Sequence, residues 1–257
     1  MKELRWNAII LAAGRGPEDP MAKAYGVANK CAIPVGGMPM LARVVRALEG
    51  SGIIASILIS IESRELATSI LGAAARTIEP ARSAPGSVIA AIEKSAIAFP
   101  VLVTTGDHAL LTPQMIEHFC HSSQKGAADV TAGLATAETI LAAYPQSIRT
   151  FFRLGPDSVS GCNLFAILNA NGLRLLERWQ YLEQARKKPW RLIAAFGIMP
   201  LVHYLTGTLT LQSAFDIVSR QLGLQVRPIL LPFAEAAIDV DKPADKDLAE
   251  KILAQRV

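Results

Sequence analysis

Short runs of Ile, Leu and Val alternate with stretches of helical spacing along the first half of this chain. No other feature constrains the fold as tightly. Asn7 to Ala12 is apolar almost throughout, as a strand buried on both faces requires. Met40 to Gly50 places Leu41, Val44, Val45 and Leu48 on one helical face, with Pro39 before it and glycine at its end. Ile53 to Ile61 reads as the next strand and Arg64 to Leu71 as a helix. Ser87 to Ala98 is an amphipathic helix with Val88, Ile89, Ile92 and Ile97 inward. Pro100 introduces strand Val101 to Thr105, and Thr112-Pro113 opens helix Gln114 to Gln124. Asp129 to Leu134 is a further strand. This order predicts an α/β fold with a doubly wound, mostly parallel, Rossmann-like sheet. Functional loops then belong at the carboxyl ends of its strands. From about Gly172 to Gly223 the pattern is helical, an insertion before strands Val226 to Leu231 and Ala236 to Val240. A charged helix, Pro243 to Gln255, closes what reads as one domain.

Composition narrows the function. The chain is 51% hydrophobic but only 6% aromatic, so the apolar bulk is aliphatic and a large core can form. Lys plus Arg exceed Asp plus Glu by 26 − 22, a net +4. No basic stripe with interleaved aromatics accompanies that excess, which suits a small anionic substrate and excludes a nucleic-acid footprint. Cys31, Cys120 and Cys162 form no C-x-x-C pair, which excludes a zinc ribbon and points to a reduced, cytoplasmic protein. The first apolar run is too short for a signal peptide and leads straight into a glycine loop. Leu192 to Leu211 lacks Asp, Glu, Lys and Arg, and Arg186, Lys187, Lys188 and Arg191 precede it. Gly197, Pro200 and Gly207 interrupt it, so a buried helix, a turn at Thr206-Gly207 and the start of another helix are expected. The basic cluster reads as a solvated helix end, with an acceptor phosphate or peripheral contact with an anionic membrane as alternatives.

Leu11-Ala12-Ala13-Gly14-Arg15-Gly16 follows the first strand. Glycines there let backbone amides approach phosphate oxygens, and Arg15 adds charge. A dinucleotide loop would need a third glycine where Asp19 stands, and no helix is expected before Pro39. A nicotinamide oxidoreductase is therefore disfavoured. The Walker pattern is absent.

The string L-A-A-G-x-G, a lysine downstream, and then Pro34-Val35-Gly36-Gly37-Met38-Pro39-Met40-Leu41 resembles the N-terminal motif of the MobA-like nucleotidyltransferases. Their relatives include cytidylyltransferases and sugar-1-phosphate nucleotidylyltransferases. The resemblance is carried by residues 7–41 and implies a GT-A-like nucleotidyltransferase fold. It places Ala12, Ala13, Gly14, Arg15, Gly16 and Lys30 around an NTP. The family follows the second glycine closely with Arg-Met; here Pro17 to Lys23 intervenes without that arginine, leaving Lys23 or Arg15 as substitutes. Glu18 and Asp19 would oppose a triphosphate there unless they point away or meet a cation.

The same resemblance makes Asp107, in Gly106-Asp107 after a strand, a ligand of Mg²⁺ or Mn²⁺. Asp239-Val240-Asp241-Lys242-Pro243-Ala244-Asp245 is similar to the family's D-x-D-x-P-x-D, which completes the metal site. In an extended segment Asp239 and Asp241 share one side, although either could instead cap the helix near Pro243. Mg²⁺ suits such a set, since it takes one or two carboxylates with phosphate and water. Gly86 and Ser87 match a turn that lies against the nucleobase, with Ser87 as helix N-cap the alternative. Asn163, in Ser160-Gly161-Cys162-Asn163, matches a segment that faces the acceptor. His108 reads as a structural neighbour of the metal acid. The implied activity is transfer of NMP from an NTP to a phosphorylated sugar, polyol or cofactor, with pyrophosphate released. The alternative is a nucleotide-binding regulator on the same fold.

Overall fold

The alternation read from the sequence produces a mostly parallel sheet flanked by helices. The structure is a computed structural model that describes residues 5–14, 16–182 and 189–256. In chain order its elements are β1 (Trp6–Leu11), α1 (Pro20–Tyr25), β2 (Pro34–Val35), β3 (Met38–Pro39), α2 (Met40–Gly50), β4 (Ile54–Ser60), α3 (Arg64–Leu71) and β5 (Thr77–Ile78). There follow α4 (Ala84–Lys94), β6 (Val101–Thr105), α5 (Pro113–Gln124), β7 (Val130–Thr136), α6 (Ala137–Ala143), β8 (Phe152–Leu154) and β9 (Asp157–Ile167). The last are α7 (Leu173–Leu182), α8 (Pro189–Ala194), α9 (Ile198–Leu205), α10 (Leu211–Leu222), β10 (Val226–Leu230) and α11 (Pro243–Ala254).

Two compact units divide the chain. The first comprises Met1–Glu117 with Ile238–Val257. Four of its strands run in the order β6-β1-β4-β5, all parallel, while β2 and β3 form a separate antiparallel pair. Ala8, Ile9 and Ile10 of β1 are fully buried, because helices cover both faces of a parallel sheet, and the strand therefore shows no apolar–polar alternation. α2 turns Met40, Leu41, Val44, Ala47 and Leu48 inward, one stripe of a 3.6-residue repeat. α4 begins at Ala84, three residues before the expected start, because Ser83 and not Ser87 caps it: the Gly86 amide donates to Ser83 Oγ at 3.1 Å.

The second unit is His118–Ala237. β10 runs parallel to β7, whereas β9 is antiparallel to both β7 and β8. Helices α7 to α10 lie between Leu173 and Leu222, and α10 is fixed by Thr210, whose hydroxyl accepts from the Ser213 amide. Phe215, Val218 and Leu222 pack on Val130, Leu224 and Val226.

Three expectations are corrected. The stretch after Gly16 is ordered and partly helical, since the Asp19 carboxylate accepts from the Met21 and Ala22 amides and Pro20 sits in the first helical turn. Ala236 to Val240 is not a strand: Ala234–Ala237 forms a 3-10 turn, and Val240 spends its amide on Asp107 O instead of a ladder. Leu192 to Leu211 does divide at Thr206-Gly207, but α9 is not buried. Ile198, Met199, Val202 and Leu205 are exposed on it, because Gly197, with φ of 116°, breaks the chain before an eight-residue helix whose apolar stripe faces outward. Among the described residues, no helix is long and apolar enough to cross a membrane.

The role of Asp19 as a cap is directly testable. Asp19→Ala is expected to lower unfolding stability by about 1 kcal/mol, read as a reduced urea midpoint. An unchanged midpoint would mean that the 17–23 stretch adds nothing to the fold.

Candidate functional site

Leu11 is level with Ser60 on one neighbouring strand and Thr105 on the other, so β1, β4 and β6 release their chains at one edge. Ala12 N donates to Ser60 O and Gly106 N to Leu11 O, both at 2.9 Å. Beyond this edge lie the glycine loop, Glu62 and Asp107. Gly106 is required where it stands: a Cβ there would sit 2.8 Å from Cys31 Sγ and 3.0 Å from Ala12 Cβ. Its absence lets the Asp107 turn close onto the Lys30–Ala32 turn. A fourth segment arrives through the Val240 amide, which donates to Asp107 O at 3.2 Å.

These connections bring together acids that are far apart in sequence. One carboxylate oxygen from each of Asp107, Asp239 and Asp241 lies within 4.8 Å of the others. Lys30 points into the same group, with Nζ donating to Asp107 Oδ2 and, at 2.7 Å, to Asp241 Oδ1. Burial on its own lowers the Lys30 pKa, but the Asp107 and Asp241 carboxylates outweigh it and hold the ammonium above the ordinary lysine range. Asp107 Oδ1 is buried without a hydrogen-bond partner, so the site retains one unused acceptor. Neither Asp239 nor Asp241 supplies the cap of α11. Asp245 does so, accepting from the Asp241 and Lys242 amides at 3.2 and 3.0 Å. His108 is buried beside the acids.

Two residues of this site escape the sequence reading. Asn29, almost fully buried, uses its whole side-chain amide: Nδ2 donates to Ala12 O at 2.8 Å and to Glu62 Oε1 at 2.9 Å, and Oδ1 accepts from the Cys31 amide at 2.8 Å. It ties the lysine turn to the glycine loop. Glu62 in turn accepts from Gly14 N through both oxygens, at 3.1 Å each. The Gly14 amide, expected to meet phosphate, is thus held by a carboxylate. A Cβ on Gly14 would lie 2.9 Å from Glu62 Oε1, so a side chain there would push the Glu62 carboxylate aside. The sequence signal for Asn29 is the preference of Asn for a cap position, legible only once the 3-10 turn after it is known.

The remaining candidates are dispersed. Ala13 is exposed on the loop and Gly16, at φ of 75°, starts a 3-10 turn. Arg15 lies outside the described residues, as do Arg186, Lys187 and Lys188. Gly86 and Ser87 are engaged locally: Ser87 Oγ accepts from Ala81 N and donates to Ser83 O. Asn163 belongs to the second unit, within β9, where its φ of 50° coincides with a register shift against β7. Asparagine tolerates that left-handed conformation better than most residues, and a bulge re-aims the side chain it carries. Glu18 does meet a cation, pairing with Lys23 at 2.6 Å.

The family model for the MobA-like NTP transferase domain matches residues 8–195. A structure described as a hypothetical transferase from Thermus thermophilus superposes with a TM-score of 0.80 at 26% identity, covering 94% of this chain and 99% of that one. A CMP:2-keto-3-deoxy-manno-octonic acid synthetase complexed with CTP gives 0.61 at 12% identity, covering 98% and 100%. The 4-diphosphocytidyl-2C-methyl-D-erythritol synthase of Anaerococcus prevotii gives 0.58 at 13% identity, covering 97% and 98%, so these two share its fold. No curated protein matches the sequence. With that family match over most of its length, and with its glycine loop, lysine and acids at one sheet edge, the chain belongs to the MobA-like NTP transferases and is a nucleotidyltransferase.

Proposed function

We propose that the protein transfers NMP from an NTP to a phosphorylated small molecule with release of pyrophosphate, and that the sheet edge holding Lys30, Asp107, Asp239 and Asp241 is where it does so. The observation that carries this reading is a buried ammonium set among three carboxylates directly beside a glycine loop. In the reaction an acceptor phosphate oxygen forms a bond to the α-phosphorus of the NTP. The bond from that phosphorus to the bridging α–β oxygen breaks, and pyrophosphate leaves with the electron pair. The second pKa of a phosphate monoester is about 6, so the acceptor is largely ionised at neutral pH and needs no general base. The absence of a His–carboxylate dyad from the proposed roles is therefore no obstacle.

The carboxylates fit a Mg²⁺ or Mn²⁺ ion. Hard oxygen donors are the right ligands, and the spare Oδ1 of Asp107 gives one such donor that the fold leaves unused. Asp107, Asp239 and Asp241 would hold the ion, which when bound supplies neutralisation of triphosphate charge. Lys30 orients and compensates the acids, and its ammonium can pass from Asp241, on the exposed side, to a phosphate oxygen. Asn29 keeps the Lys30 turn in register with the loop, so that the cation is already in place when substrate arrives. Asn163, carried on β9 of the second unit, is the residue we assign to the acceptor.

A pyrophosphate-release screen crossing the four NTPs with sugar, polyol and cofactor phosphates tests the activity; nucleotide binding without turnover on any acceptor would favour the regulatory alternative. Lys30→Ala and Asp107→Asn are each expected to slow release by about 100-fold or more, with circular dichroism confirming the fold. A rate equal to the wild type in either variant removes that residue from the mechanism. Chelation by EDTA should abolish release, and Mg²⁺ or Mn²⁺ should restore it; full activity in excess chelator would refute the metal. Asn29→Ala leaves Ala12 O and the Cys31 amide without partners. Its expected cost is about 1–3 kcal/mol in urea unfolding together with a lower kcat, and a wild-type kcat would reduce Asn29 to a purely structural group.

A further inference from the structure

Glu62 and Asp107 stand at corresponding places on opposite flanks of the glycine loop. Each is the second residue beyond its strand, Glu62 after β4 and Asp107 after β6, and β1 lies between the two strands. Two strand spacings separate these flanks, roughly 10 Å. On the Asp107 flank the acids are accompanied by Lys30. On the Glu62 flank, among the described residues, the carboxylate accepts hydrogen bonds from neutral donors, the Gly14 amide and the Asn29 side chain. A phosphate placed there would face an anion whose described hydrogen-bond partners carry no positive charge, and would be repelled by it. A carboxylate fixed by neutral donors, yet still exposed to solvent, is suited to something else. It accepts from hydroxyl and amine hydrogens.

We infer that Glu62 is the acceptor for the neutral donors of the nucleoside, its ribose hydroxyls or base N–H groups, and that it sets the direction in which the NTP lies. The triphosphate then runs toward Lys30 and the acids, and the nucleoside lies over Gly14. This assignment rests on the nucleotidyl-transfer reading above and adds to it a residue that selects and orients the nucleotide. Asn29 is the physical link between the two ends. One of its amide hydrogens steadies Glu62, and its carbonyl holds the turn that carries Lys30.

The test compares nucleotide and bare phosphate chain on the full-length protein. Calorimetric titration, with Mg²⁺ present, is run for the four NTPs, a 2′-deoxy-NTP and inorganic tripolyphosphate on the wild type, Glu62→Gln and Glu62→Ala. Both variants are expected to bind their preferred NTP about tenfold or more weakly while tripolyphosphate changes by no more than about twofold. A wild-type preference for ribo- over deoxynucleotide, or for CTP over UTP, that vanishes in Glu62→Gln names the donor as hydroxyl or amine; neither preference in the wild type overturns the assignment. Unchanged NTP affinity in both variants overturns it too. So does tighter tripolyphosphate binding, which would place Glu62 in a phosphate position. Wild-type protein that binds neither NTP nor tripolyphosphate refutes the nucleotide site itself.

Discussion

Everything at the sheet edge is arranged around one buried ammonium. Lys30 sets one positive charge among the carboxylates of Asp107, Asp239 and Asp241 and pairs with the first and last of them. Removing such charges from water is expensive, and mutual attraction offsets the cost only when the geometry is good. The site therefore cannot tolerate a loose lysine. Its turn is capped by Asn29, whose hydrogen bonds also fix the first carbonyl of the glycine loop. The buried, unpartnered oxygen of Asp107 is a hard donor of the kind a divalent cation takes.

The fold assembles this group through close approach rather than through any long element. Parallel strands of matched register end together, which places three loops side by side without further design. Gly106 then removes the one side chain that would hold the Asp107 turn away from Cys31. Cys31 is itself buried, and burial, reinforced by Asp107 against the opposing pull of Lys30, raises its thiol pKa well above the ordinary range. It acts as packing, neutral beside a charged neighbour. The C-terminal acids are attached by a single backbone bond from Val240 to Asp107, so the D-x-D segment needs no strand to reach the site.

What the sequence revealed follows from the range of each interaction. β1, α2 and the glycine loop are local patterns, and a window of a dozen residues contains them. Asp107 was singled out through the resemblance of Gly106-Asp107 to the family's motif, which is likewise local. Asn29 and Glu62 were not, since their hydrogen bonds join residues 17, 33 and 48 positions apart and no local pattern encodes them. The earlier start of α4 is of another kind. Ser83 and Ser87 are both plausible caps, and the choice falls to the one followed by Pro85 within the first turn, with Ser87 left to bind backward to Ser83 O. Asp19-Pro20 carried the same cap-then-proline signal that was read correctly at Thr112-Pro113, and the glycines before it masked it as loop.

That missed helix changes how the departure from the family pattern should be understood. The stretch that departs from the family's Arg-Met carries Pro20 and Met21, and Met21 is buried. The proline brings no charge, but it fixes the start of α1, and the Asp19 carboxylate is consumed by two amides rather than facing the loop. Glu18 is turned onto Lys23 in an exposed pair of the kind that contributes little, about 0–1 kcal/mol. Such a pair separates readily, so Lys23 is available to an incoming anion at small cost, while Asp19 is not available to repel it. The two acids that looked hostile to a triphosphate are therefore engaged otherwise, Asp19 in fixing the start of α1 and Glu18 in pairing with Lys23.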